Sequence, residues 1–144
     1  MAGRNGSGYR SRPVPAQADY QSLRQAMIAM LEELDQRLAG RRYLFGAEVT
    51  EADVRLWPTL ARFDTGYNPM AGVTKRRLTE FGSLWAYARD LYRLPAFRQT
   101  TDFSSHRGLV RGPKPSFLNA ASWRLRVEPH LADWDSPPDR DHLG

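Results

Sequence analysis

Val49-Thr50-Glu51-Ala52-Asp53-Val54 writes a helix start twice within six residues. Thr50 and Asp53 stand at capping-box spacing: the threonine side chain can take the backbone N–H of Asp53 while the Asp53 carboxylate reaches back to the N–H of Thr50. Val49 and Val54 flank the box at the spacing of a hydrophobic staple. The helix so opened continues through Arg55-Leu56-Trp57-Pro58-Thr59-Leu60-Ala61-Arg62-Phe63-Asp64. Pro58 falls inside it, and its missing donor and crowding ring predict a bend there.

On the N-terminal side, Leu23, Met27, Met30, Leu31, Leu34 and Leu38 recur every three or four residues with charged residues between them, which predicts a long amphipathic helix from Ala18. Gly40 stands where a left-handed residue would end that helix, and Tyr43-Leu44-Phe45-Gly46 makes a short apolar connector to the capping box. On the C-terminal side, Gly66, Pro69 and Gly72 interrupt the pattern and Lys75 to Phe81 predicts a short helical turn. Ser83 is placed to cap a third helix over Leu84 to Arg93, whose Leu84, Tyr87, Ala88, Leu91 and Tyr92 share a face. Pro95 restarts a short helix at its first position.

The resulting expectation is an all-α chain in three parts: an extended Gly-, Ser- and Pro-rich arm over 1–16, a helical bundle over 17–103, and a tail over 104–144. Prolines 113, 115, 129, 137 and 138 make the tail irregular, while Phe117, Trp123, Leu125, Val127 and Trp134 carry enough apolar surface to pack it onto the helices.

At 144 residues and 41% hydrophobic, one domain with its own core is expected. No apolar run approaches the roughly 18 residues of a membrane helix, and Met1 to Gly8 offers no secretion-signal stretch, so the expected location is cytoplasmic. The absence of cysteine excludes disulfides, thiolate metal sites and a cysteine nucleophile within this sequence. A net charge of +5 raises nucleic acid as a partner, but the cations of the Leu91 to Val127 stretch are followed by Glu128, Asp133, Asp135, Asp139 and Asp141, able to neutralise them within the fold. No nucleic-acid-binding motif accompanies the charge, and His106, His130 and His142 lack metal-ligand spacing.

Taken in order, Asn5-Gly6 with Tyr9-Arg10, Leu34 to Leu44, Thr50-Glu51-Ala52-Asp53, Arg62-Phe63-Asp64, Tyr67, Arg76-Arg77-Leu78, Leu84-Trp85, Tyr87, Arg89-Asp90-Leu91-Tyr92 and Asp133-Trp134 with Pro137 resemble the C-terminal helical domain of the glutathionyl-hydroquinone reductases, the xi-class glutathione transferases. The resemblance implies a glutathione-transferase C-terminal-type bundle with the capping-box helix buried at its centre. Members of that family carry a preceding thioredoxin-like domain that binds glutathione and supplies a reactive cysteine. The expectation here is a protein that keeps the aromatic-substrate half and works without its own cysteine. Two further departures stand out: Asn68-Pro69-Met70-Ala71-Gly72 replaces a family His, Phe and Lys after the tyrosine, and His106 to Arg111 replaces a His-Tyr-Tyr run.

The resemblance therefore implies an aromatic or quinone-like ligand held by Tyr9, Phe63, Tyr67, Trp57 and Met70, and proton transfer or orientation through Tyr67, Asp64, His106 and Tyr9, with no cofactor. Each has a structural alternative. Tyr9 can anchor the arm, Tyr67 can pack a helix end, and Asp64 can pair with Arg62, Arg76 or Arg77. As partners, the reading gives an aromatic small molecule together with a second copy of the chain or a separate thioredoxin-like chain, the rival being a non-catalytic dimerisation or interaction module.

Overall fold

The computed structural model describes residues 17–68, 74–106 and 132–144. Among the described residues four α-helices run in the order α1 (Gln17–Ala39), α2 (Glu51–Ala61), α3 (Gly82–Arg93) and α4 (Pro95–Thr100). A π-helical turn, Phe63–Tyr67, continues from α2, and 3-10 turns occupy Leu78–Glu80, Phe103–His106 and Asp141–Leu143. Among the described residues no strand forms, only an isolated bridge between Tyr43 and Gly46, so the chain is all-α as its periodicity predicts.

Helix α3 is the hub: it packs chiefly along α1 and also meets α2 and α4. Its Leu84, Tyr87, Ala88 and Leu91 are each 0% exposed, the face expected from their spacing. Each large side chain buried in this way contributes about 1.5–3 kcal/mol. The core they enter includes Leu31 and Leu38 of α1, Leu60 and Phe63 from the second helical segment, and Leu78 and Phe81. Helix α1 departs from expectation at Leu23 and Met30, which stay 60% and 47% exposed, while Leu31 and Leu38 are closed off.

The capping box at the start of α2 is formed, and it does more than end a helix. The Asp53 carboxylate accepts the Thr50 N–H at 2.8 Å, the Thr50 hydroxyl at 2.8 Å, the Leu44 N–H at 3.0 Å and the Tyr87 hydroxyl at 2.7 Å. One side chain thus ties the connector, the helix start and the hub helix together. Burial alone would raise its pKa, but the hydrogen bonds from Tyr87, Leu44 and Thr50 outweigh it and hold the group below the ordinary carboxylate range. The expected staple is not the seal: Val49 and Val54 both remain exposed, and Val54 turns to a surface cleft described below.

Three local expectations are corrected. The left-handed residue of the α1–α2 connector is Gly46, with φ of 144°, and not Gly40, because the Tyr43–Gly46 bridge closes the turn four residues after the helix-end signals. Helix α3 begins at Gly82 rather than at a Ser83 cap, since Asp35 of α1 accepts the Leu84 N–H at 2.7 Å and caps the helix from another element. Finally, α2 passes through Pro58, and the change of geometry comes later, at Arg62 (φ −107°, ψ 4°) and the π-turn.

The described end of the tail packs onto the bundle. Trp134 is 7% exposed, with ring centroids 4.7 Å from Trp85, 4.8 Å from Phe103 and 5.7 Å from Trp57. Arg140 is 3% exposed and donates to the carbonyls of Arg41, Arg42 and Ser83, joining the tail to the connector and to the start of α3. Acidic tail residues meet upstream cations as their charge pattern suggests: Asp135 pairs with Arg98 at 2.6 Å, and Asp141 with Arg42 at 3.2 Å and Arg93 at 3.7 Å.

Candidate functional site

Helix α2 turns one edge of its buried face toward a surface cleft. Val54, Trp57, Pro58, Ala61 and Arg62 recur at helical spacing, and they face Ala96, Phe97, Thr100 and Thr101 of the α4 segment across a cleft of about 410 Å³. Pro95 at the first position of α4 turns the chain sharply after α3 and lays the short helix alongside α2. The volume is that of a small-molecule site.

Trp57 forms the inner wall and is held on every side. Its indole stacks on Tyr92 at 6.1 Å and 17°, meets Phe97 edge-on at 5.7 Å and 83°, and meets Trp134 edge-on at 5.7 Å and 79°. Its Nε1–H donates to Thr101 Oγ1 at 3.0 Å, and that hydroxyl donates onward to the Phe97 carbonyl at 2.7 Å. Thr100 likewise donates its hydroxyl hydrogen to Ala96 O at 2.6 Å. Among the described lining residues Arg62 is the one charged group, and no Asp, Glu or His stands with it.

The residues expected to act from the sequence are not gathered there. Trp57 lines the cleft, but Phe63 is 1% exposed in the core and Tyr67 is 42% exposed, one helical segment further on. Asp64 caps the Leu78 turn, its Oδ1 accepting the Leu78 N–H at 2.9 Å. Burial pushes the Asp64 carboxyl up to about 6, against the hydrogen bond from Leu78 and the charge of Arg77. His106 ends the Phe103–His106 turn, with its side chain outside the described part, and Tyr9 and Met70 also lie outside the described residues. The turn that carries Asp64 and Tyr67 is fastened by Asn68, 2% exposed, which accepts Thr74 N–H at 2.9 Å and donates to Arg76 O at 3.1 Å.

Val54, Pro58, Ala61, Arg62, Phe97, Thr100 and Thr101 were not among the expected site residues. Val54, Pro58, Ala61 and Arg62 carry a signal, an i, i+4, i+7, i+8 repeat that shares Trp57 with the core side of the helix, whereas Phe97, Thr100 and Thr101 carry none local to α2.

Residues 17–90 match the family model described as "Glutathione S-transferase, C-terminal domain". The chain belongs to this family. The similarity extends further than the family match: the glutathionyl-hydroquinone reductase YqjG of Escherichia coli is 31% identical over 134 residues, 90% of this chain and 41% of that protein. The glutathionyl-hydroquinone reductase PcpF of Sphingobium chlorophenolicum is 36% identical over 80 residues, 56% of this chain and 26% of that protein. Among solved structures, the glutathione-bound form of YqjG superposes with a TM-score of 0.72 at 30% identity, covering 89% of this chain and 41% of the other. The chain thus spans less than half the length of the relatives it matches. Within this glutathione S-transferase C-terminal domain, no helix of the described residues is long and apolar enough to cross a membrane.

Proposed function

We propose that this glutathione S-transferase C-terminal domain binds an aromatic, quinone-like small molecule in the cleft between α2 and α4. The observation that carries the reading is the apolar hollow of about 410 Å³ whose inner wall is an immobilised indole. A planar ring gains from contact with such a wall beyond the area it buries, by about 0.5–1.5 kcal/mol per aromatic pair. The names of the relatives, glutathionyl-hydroquinone reductases, support the ligand class. The test is calorimetric titration with a naphthoquinone and its hydroquinone, repeated on Ala96→Trp, which fills the mouth of the cleft from an exposed position. Saturable binding that falls at least about tenfold in Ala96→Trp supports the proposal; binding indifferent to the substitution, or none, removes it.

A second reading, transformation of the ligand, is favoured by one observation: a carboxyl held near 6 on the same turn as an exposed phenol. In that reading Asp64 accepts a proton near neutral pH and Tyr67 orients the substrate oxygen, with Tyr9 and His106 completing the set, and a separate thioredoxin-like chain bringing any thiol. A hydroquinone turnover assay, with and without glutathione, tests it. A rate that rises with pH through about 6 in the native chain and loses that limb in Asp64→Asn is the supporting result. Turnover unchanged by Asp64→Asn and Tyr67→Phe would dismiss it.

A further inference from the structure

A turn of the tail lies behind the cleft and grips both of its walls. Asp133 Oδ1 accepts the Ser136 N–H at 3.0 Å and closes the turn, with Trp134 buried at 7% exposure and Asp135 exposed. The Trp134 indole meets Trp57 of α2 edge-on, with centroids 5.7 Å apart, and Trp57 is the inner wall of the cleft. Asp135 pairs at 2.6 Å with Arg98 of α4, the helix that supplies the opposite wall. The two grips converge, because the Arg98 guanidinium lies 4.9 Å from the centre of the Tyr92 ring and Tyr92 stacks on Trp57. At the exit of the turn, Arg89 of α3 donates to the Pro137 carbonyl at 3.3 Å. None of Trp134, Asp135 and Arg98 lines the cleft, so whatever they do for a ligand they do through Trp57 and α4.

Resting on the reading of this cleft as an aromatic-binding site, and deepening it, we propose that the tail turn controls the affinity of the site: Trp134 and Asp135 are positioning residues that hold Trp57 and α4 in the arrangement an aromatic ring needs. A ring entering the cleft then meets an indole already ordered by its neighbours, so less freedom is lost on binding than if Trp57 could turn. The coupling is reciprocal, and a bound ring fastens the turn by the same factor by which the turn tightens the ring. The two grips differ in kind. Trp134 offers a buried ring edge, whereas the side chains of Asp135 and Arg98 are 71% and 50% exposed, and an attraction between exposed charges fades as salt rises. Affinity for an uncharged ring is thereby made sensitive to ionic strength.

The test is calorimetric titration of the full chain with 1,4-naphthoquinone, which carries no charge and so forms no ion pair of its own. Asp135→Ala should weaken binding about two- to fivefold, the range an exposed ion pair can supply, and Asp135→Glu should keep the native affinity. Raising the salt from about 0.05 to about 1 M should close the gap between the native chain and Asp135→Ala. Trp134→Leu should weaken binding about two- to tenfold, the worth of one edge-on aromatic contact. In a chain labelled with 5-fluorotryptophan, the Trp134 fluorine signal, assigned by its loss in Trp134→Phe, should shift as naphthoquinone is added, a response that a merely structural role would not give. Should Trp134→Leu fail to fold, Asp135→Ala at its exposed position decides alone. Native affinity in Asp135→Ala at low salt, or a Trp134 signal indifferent to the ligand, overturns the proposal, and leaves the aromatic-binding reading standing where Ala96→Trp weakens binding. If naphthoquinone does not bind, or binds Ala96→Trp as well as the native chain, both fall.

Discussion

Replacing Asp53 with alanine removes an acceptor that four donors share, and the structure indicates how much each loss costs. Two of the donors belong to Thr50, half-buried at the helix start, where water can replace the carboxylate; their share is the cost of a lost cap, about 1 kcal/mol. The other two have no such substitute. Tyr87 is 0% exposed and Leu44 is 8% exposed, so the phenol and the Leu44 N–H would be left unsatisfied, at about 1–3 kcal/mol each. Asp53→Ala should therefore cost about 3–7 kcal/mol, a large part of the 5–15 kcal/mol that holds a typical domain together. Tyr87→Phe alone leaves the carboxylate three donors and should cost about 1–2 kcal/mol. The double variant should then be less destabilised than the sum, because phenylalanine removes the hydroxyl that alanine at 53 strands. Urea denaturation followed by circular dichroism at constant m-value measures all three. A loss under about 1.5 kcal/mol in Asp53→Ala, or strict additivity in the double variant, would refute the account of Asp53 as a shared hub. The pH dependence has a fixed sign: the folded pKa is lowered, so this contribution is complete above the ordinary carboxylate pKa of about 3.9 and disappears as pH falls through the lower folded value.

Asp64 should behave in the opposite way. Its folded pKa is raised to about 6, so the protonated form's stability is fully present below about 3.9 and is lost as pH rises through 6. Asp64→Asn, which can still accept the Leu78 N–H, should therefore be more stable than the native chain at pH 7.5 and equal to it at pH 3.5 in thermal melts. Arg140→Ala strips the donor from the carbonyls of Arg41, Arg42 and Ser83 and should cost about 2–4 kcal/mol in urea titrations, with faster proteolysis of the tail. Gly46→Ala places a side chain at φ of 144° and should cost about 1–3 kcal/mol by the same measurement, although nothing lies within 4 Å of the added methyl, so a neutral result would show that the turn relaxes freely.

The parts of this fold that could be read in the chain are those decided by residues close in sequence. Thr50 and Asp53 lie within one turn, and the Leu84, Tyr87, Ala88, Leu91 stripe repeats within one helix, so both follow from local geometry. What went astray was decided by distant residues. The cap on α3 comes from Asp35, 49 positions upstream of the N–H it accepts, and nothing local to Ser83 announces it. Val49 and Val54 have the spacing of a staple, yet Val54 faces a hollow whose far wall is α4, the helix that Pro95 starts. For the same reason the candidate cleft was legible on one wall alone: Trp57 stood out, while Phe97, Thr100 and Thr101 are contributed by a helix about forty residues away. Asp64 was expected to pair with Arg62, Arg76 or Arg77 if it did not act on a ligand; its hydrogen-bond partner is the Leu78 backbone N–H, with the charge of Arg77 acting beside it.

The clasp between Arg140 and the carbonyls of Arg41 and Arg42 spans 99 and 98 positions of the chain. During synthesis at about 5–20 residues per second, the connector emerges seconds before its clasp does. Helices α1 and α2 must wait in that interval with the Arg41 and Arg42 carbonyls wetted by solvent. Closure of the bundle thereby waits on Arg140, and a nascent chain stalled before that residue would display a partly closed bundle to chaperones and proteases.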